Sequence, residues 1–203
     1  MVRSIFIKLL VWGCLVLALP ASAASVLVFG DSLSAAYGLN NPQQGWVSLL
    51  ADHLEPKGHT VINASVSGET TRGGLSRLPA LLDRYQPDFL VLELGGNDGL
   101  QGLDLNGIQE RLQAMIDLAH QANTEVILLG IRIPPNYGPR YTEPFFALFG
   151  DLAAANDLVY LPFMLEGVAE DPDLMQSDGI HPTAAAQPLI LQNVLDILPA
   201  TLR

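Results

Sequence analysis

A doubly wound α/β fold is predicted by three features of the 203-residue sequence. Short apolar runs recur five times, and their Val, Ile and Leu content suits parallel strands buried on both faces. Longer segments with helical spacing separate them, at intervals of about 30 residues.

Residues 25–29 form the first apolar run, and residues 45–54 the segment after it. The second run is 60–64, followed by 71–85; the third is 88–94, followed by 106–121; the fourth is 124–131, followed by 141–156. Residues 157–161 make the fifth run and 183–198 the closing segment. The last four intervening segments place apolar residues three and four apart, as Leu112, Met115, Ile116 and Ala119 do, so amphipathic helices are expected there. Tyr141, Phe145, Leu148 and Phe149 share that spacing and are expected in the core. Five strands correspond to a flavodoxin-like three-layer α/β/α sandwich with a five-stranded parallel sheet. No repeat or linker divides it, so a single domain is expected.

Composition excludes several functions. Ten Lys and Arg stand against 21 Asp and Glu, a formal charge of −11, which repels phosphate backbones and speaks against nucleic-acid binding. The single Cys, Cys14, cannot close an intrachain disulfide or build a clustered-thiolate metal site. With 49% apolar and 15% charged residues, the chain has the means to bury a sizeable core.

The first 23 residues predict a secretory signal peptide. Arg3 and Lys8 lie before an apolar run at 9–19, and the small residues Pro20, Ala21, Ser22 and Ala23 follow. The run is too short for a membrane span, which needs about 20 apolar residues, so no stable membrane insertion is expected. Cleavage would leave 24–203 as the working domain, free of Cys. Its charge would fall from −11 to −13, because two cations and no acid depart. Export to the periplasm, or beyond the cell, and a monomeric state are expected.

Open α/β sheets bind ligands at the carboxyl ends of their strands. There the chain carries Gly30-Asp31-Ser32-Leu33 after the first run, Gly68 in the loop after the second, Gly95, Asn97 and Asp98 after the third, and Asp178 and His181 before the last helix. Each alone suits a cap or a turn. Together they form a hydrolase: a serine hydroxyl needs a general base, and the base needs an acceptor that fixes its tautomer. Ser32, His181 and Asp178 supply these, with Pro182 biasing His181 towards extended backbone. The Asn97 amide and the backbone N–H groups of Ser32 and Gly68 are the candidate oxyanion donors.

These four blocks, in this order, resemble the GDSL or SGNH hydrolases. The extensions 30–38, 96–100 and His181-Pro182 with Ala186-Gln187-Pro188 are similar to the bacterial acyl-CoA thioesterase I, lysophospholipase L1 and arylesterase group. The resemblance implies Ser32, Asp178 and His181 as the catalytic triad and Ser32, Gly68 and Asn97 as the oxyanion hole. It further implies an acyl ester, thioester or lysophospholipid substrate, and no cofactor or metal. There is no G-x-S-x-G elbow, which sets the chain apart from the larger α/β-hydrolase class. The Pro- and Tyr-containing loop after the fourth run places Pro134 and Tyr137, with Leu100 opposite, as candidate walls for an acyl chain.

Three other readings stay open in the sequence. Asp31, Asp98, Asp178 and His181 form a candidate divalent-cation cluster, although that reading leaves Ser32, Gly68 and Asn97 without a task. A carbohydrate deacetylase and a non-catalytic binding module are the alternatives on the same fold. His53, His59 and His120 are expected at the surface.

Overall fold

The computed structural model describes residues 23–203. The expected signal peptide therefore lies, apart from Ala23, outside the described residues. Five parallel strands form one sheet: β1 (Ser25–Gly30), β2 (Thr60–Asn63), β3 (Phe89–Glu93), β4 (Glu125–Leu129) and β5 (Val159–Leu161), in the order β2-β1-β3-β4-β5. The chain winds outward from β1 to β2, then crosses back to place β3 on the other side. The order thus reverses between β1 and β3, and a crevice opens at their carboxyl ends.

The strand sequences explain the three layers. Side chains alternate between faces, so Val26 and Val28 of β1 enter one core and Leu27 and Phe29 the other. The first core lies under α1 (Trp46–Leu54), and Ile190 and Val194 from the last helix pack into it. The second is covered by α2 (Thr71–Tyr85), α4 (Leu105–Gln121) and α5 (Pro139–Asn156), through Leu78, Leu112, Met115, Phe145 and Phe149. Phe145, Leu148 and Phe149 are buried as their spacing implies, while Tyr141 is half-buried at the edge.

Two departures from the sequence pattern have local causes. A five-residue helix, α3 (Gly96–Leu100), follows β3; it is too short to display a periodic apolar face. The last helix, α6, runs Gln187–Ile197, whereas the spacing extends back to 183. Pro188 lacks a backbone N–H and belongs in a first helical turn, so 184–186 form a 3-10 turn instead. His59 also differs from expectation. It is buried, and its Nδ1 accepts the Ala24 N–H at 3.0 Å, tying the start of β1 to β2; His53 and His120 are exposed.

Trp46 links the first core to the loop after β1. Its side chain is fully buried and its indole N–H donates to the Leu33 carbonyl at 3.2 Å, while its backbone N–H donates to Gln187 Oε1 at 2.9 Å. Trp46→Phe is expected to lower stability by about 1–3 kcal/mol, since it leaves the buried Leu33 carbonyl unpaired and a small void behind. Urea denaturation measures this, and an unchanged midpoint would show that the indole contact contributes nothing.

Candidate active site

The structure brings Ser32, His181 and Asp178 together at the carboxyl end of β1. His181 Nε2 lies 2.9 Å from Ser32 Oγ, and His181 Nδ1 lies 2.7 Å from Asp178 Oδ2. With Asp178 ionised, Nδ1 carries a hydrogen and donates to it, which leaves Nε2 to accept from the serine hydroxyl.

Asp178 is held as an anion by its own turn. Its Oδ1 accepts the backbone N–H groups of Ile180 and His181, at 2.9 and 3.0 Å. The His181 N–H, the His181 ring and the Ile180 N–H lower its pKa to about 2, so it stays charged throughout the neutral range. The turn is fixed from outside as well. Tyr37 packs on the His181 ring with centroids 4.5 Å apart, and Gln176 Nε2 donates to the carbonyls of Tyr37 and Pro182, both at 3.0 Å.

The three candidate oxyanion donors lie on separate segments: Ser32 in the loop after β1, Gly68 in the loop after β2 and Asn97 in α3. Gly68 has φ +79, a left-handed conformation that glycine adopts without strain, and a Cβ there would meet nothing; the backbone angle, and not crowding, favours glycine. Among the described residues, no protein acceptor takes the Ser32 or Gly68 N–H. Asn97 Nδ2 donates to Asp31 Oδ2 and to the Glu69 carbonyl, both at 2.9 Å. Those bonds engage both of its amide hydrogens, so an oxyanion there has to share one of them.

Asp31 is the site residue whose task the sequence did not reveal. It is 2% exposed, its Oδ1 accepts the Leu33 N–H at 3.0 Å, and its Oδ2 orients Asn97. Burial raises its pKa to about 6, against the opposing pull of the Leu33 N–H, His181 and Ser32. Beneath it lies Glu93, fully buried at the end of β3, whose pKa burial and the Asp31 charge push well up.

The acids of the candidate cation cluster are separated. Asp98 is fully buried, but it accepts from the Thr71 backbone N–H and hydroxyl at 2.8 and 2.5 Å and pairs with Arg111 at 3.4 Å. It fastens α3 to α2 and α4. Among the described residues, no three His, Cys, Asp or Glu side chains are grouped to hold an ion.

A cavity of about 420 Å³ opens beside Ser32 and His181. Leu100 and Pro134 line it, together with Ile131, Ile133, Phe163 and Met175. Tyr137 does not: its hydroxyl donates to the Leu100 carbonyl at 2.7 Å, so it braces the wall from outside. Tyrosine beside Pro and Gly suggested an apolar wall, whereas the phenol oxygen is what the fold uses.

Fold and site together define a serine hydrolase on a three-layer α/β sandwich. The chain belongs to the GDSL-like lipase/acylhydrolase family, whose model matches residues 28–188, and it is an ester-hydrolysing enzyme. It is 50% identical over 191 residues to the esterase TesA of Pseudomonas aeruginosa, covering 92% of this chain and 94% of that one. It is 45% identical over 170 residues to thioesterase 1/protease 1/lysophospholipase L1 of Escherichia coli, with 84% and 81% covered. The crystal structure of the psychrotrophic esterase EstA from Pseudoalteromonas sp., inhibited by monoethylphosphonate, superposes with a TM-score of 0.81 at 42% identity, over 86% of this chain and 96% of that one.

The raised pKa of Asp31 has a consequence for stability. A carboxyl that binds its proton more tightly when folded lowers stability as pH rises from its unfolded value of 3.8 through about 6. Asp31→Asn removes that titration. The variant's stability relative to the parent is therefore expected to be greater near neutral pH than near pH 4, by about 2–3 kcal/mol. Thermal unfolding across this range tests the sign, and a difference that is flat with pH would contradict it.

Proposed function

We propose that the protein hydrolyses carboxylic esters of acyl lipids and aryl alcohols, and thioesters as a further capacity, through an acyl-enzyme on Ser32. The observation that carries this reading is the relay from Asp178 through His181 to Ser32, opening on a cavity with largely apolar walls. Ser32 Oγ attacks the carbonyl carbon as His181 Nε2 takes the hydroxyl proton, and the carbonyl oxygen becomes an oxyanion facing the N–H groups of Ser32 and Gly68 and the Asn97 amide. Collapse of this intermediate breaks the bond to the leaving group, which receives the proton from His181. Water then attacks the acyl-enzyme, gives its proton to His181, and releases the acid as that proton returns to Ser32 Oγ.

The apolar walls favour an acyl chain over a sugar, which would need polar partners along the cavity. A binding module has no use for a serine already hydrogen-bonded to an oriented histidine. We further propose that residues 1–23 direct export to the periplasm and that cleavage after Ala23 releases the domain there as a monomer. Acyl esters and lysophospholipids would meet it there, whereas acyl-CoA is made and used in the cytoplasm. The relatives' names, esterase in one case and thioesterase with lysophospholipase in the other, fit this range. Leu100 and Pro134, with Tyr137 bracing the first, are proposed to set acyl-length preference.

Ser32→Ala is expected to remove at least about 10⁴-fold of kcat on a short aryl ester and all labelling by a fluorophosphonate. Retained turnover would end the acyl-enzyme reading. Asn97→Ala is expected to lower kcat by about 10²–10³-fold with little change in KM, since its amide serves the transition state. A panel of ester, thioester and lysophospholipid at matched acyl length, given to residues 24–203, ranks the substrates. Tyr137→Phe should change the ratio of rates on long and short esters, and an unchanged ratio would remove Tyr137 from the specificity device.

A further inference from the structure

The proposed chemistry makes no use of one fully buried carboxyl beside the site. Glu93 ends β3 and is 0% exposed. Its Oε2 accepts two hydrogen bonds from the loop that carries Ser32: the Asp31 backbone N–H at 3.1 Å and the Ser34 hydroxyl at 2.7 Å. Its Oε1 is buried and, among the described residues, has no hydrogen-bond partner. A glycine precedes the nucleophile loop because of this contact: a Cβ at Gly30 would collide with Glu93 Oε2 and with Ser34 Oγ.

A buried acid with one unpaired oxygen is an expensive way to satisfy two donors, and an apolar side chain would sit more comfortably at the end of a core strand. What this acid does reach is the loop. The two donors it takes lie on either side of Ser32, one residue before and two residues after it. The loop is then held at further points, since the Gly30 N–H donates to Ser65 Oγ at 3.1 Å and Asn63 Nδ2 donates to the Ser34 carbonyl at 2.8 Å. Asp31, whose N–H Glu93 grips, in turn orients Asn97. One side chain thus holds the backbone of the nucleophile and, through Asp31, the side chain of an oxyanion donor.

We propose that Glu93 is a positioning residue for the acyl-transfer step, which sets Ser32 and, through Asp31, Asn97 in register without touching substrate. The proposal rests on Ser32 as the nucleophile. Its action requires an accepting oxygen and no negative charge, so glutamine can replace it while leucine cannot. A misplacement of the nucleophile by about 1 Å is enough to lower turnover by 10²-fold.

Wild-type protein, Glu93→Gln, Glu93→Leu and Ser34→Ala are titrated with a fluorophosphonate, and kcat is expressed per labelled site on an aryl ester. Stoichiometric labelling of the wild type, abolished in Ser32→Ala, establishes the nucleophile independently of Glu93. If wild type does not label, it is the Ser32 reading that fails. Given labelling, Glu93→Leu is expected to lower kcat per site by roughly 10–100-fold with KM within about threefold, and Glu93→Gln to stay within about threefold of wild type. A merely structural role would reduce the fraction of labelled sites and leave kcat per site intact; that result overturns the proposal, as does Glu93→Gln being as slow as Glu93→Leu. Ser34→Ala, which deletes one of the two donors and leaves Glu93 in place, is expected to lower kcat per site by about 3–10-fold. Should Glu93→Leu not fold, an unchanged value for Ser34→Ala overturns the proposal alone.

Discussion

The contact on which the site depends is the 2.9 Å hydrogen bond between His181 Nε2 and Ser32 Oγ, which joins residues 149 positions apart. No local structure can supply it. The partner bond, from His181 to Asp178, is formed within one turn and needs only that turn to fold. Meeting at Ser32 requires β1 to lie inside the sheet with its carboxyl end at the strand-order reversal, and it requires the Asp178 turn to be folded back over it. Tyr37 and Gln176 accomplish the second, since each bridges the Ser32 loop and the His181 turn.

Carboxyl groups around this contact differ in environment, and their chemistry follows. Asp178 is exposed to water and receives two backbone N–H groups, so its pKa falls to about 2 and it remains an anion that orients His181. Asp31 is enclosed, and burial raises its pKa to about 6. Two aspartates within reach of one histidine are thereby pushed in opposite directions, and only the first is a dependable permanent charge.

Buried acids are distributed unevenly in their compensation. Asp98 is fully buried yet has Thr71 and Arg111 as partners, so it contributes a firm joint between α2, α3 and α4. Glu93 and Asp31 stand one behind the other: burial raises the pKa of both, the Asp31 charge adds to the rise at Glu93, and the Asp98 charge adds to that at Asp31. Local rules of core composition are broken at the loop that carries Ser32, and such departures are expected at a functional site.

The sequence by itself determined the strand count, the longer helical segments and the residue types waiting at each strand end, because hydrophobic periodicity records which face of one element is buried. It also pointed to Ser32, Gly68, Asn97, Asp178 and His181 as the candidate set, since these residue types stand together at the strand ends and in the order of the family's blocks. Only the tertiary structure decided what each element meets. In the sequence Glu93 is simply part of the third apolar run, Asp31 belongs to the first motif block and to the candidate cation cluster, His59 is expected at the surface and Tyr137 as an apolar wall. The fold gives each a specific partner: the Ser34 hydroxyl, the Asn97 amide, the Ala24 N–H and the Leu100 carbonyl. Those partners lie from 35 to 66 residues away, and a hydrogen bond depends on placement to within a few tenths of an ångström, which no one-dimensional pattern carries.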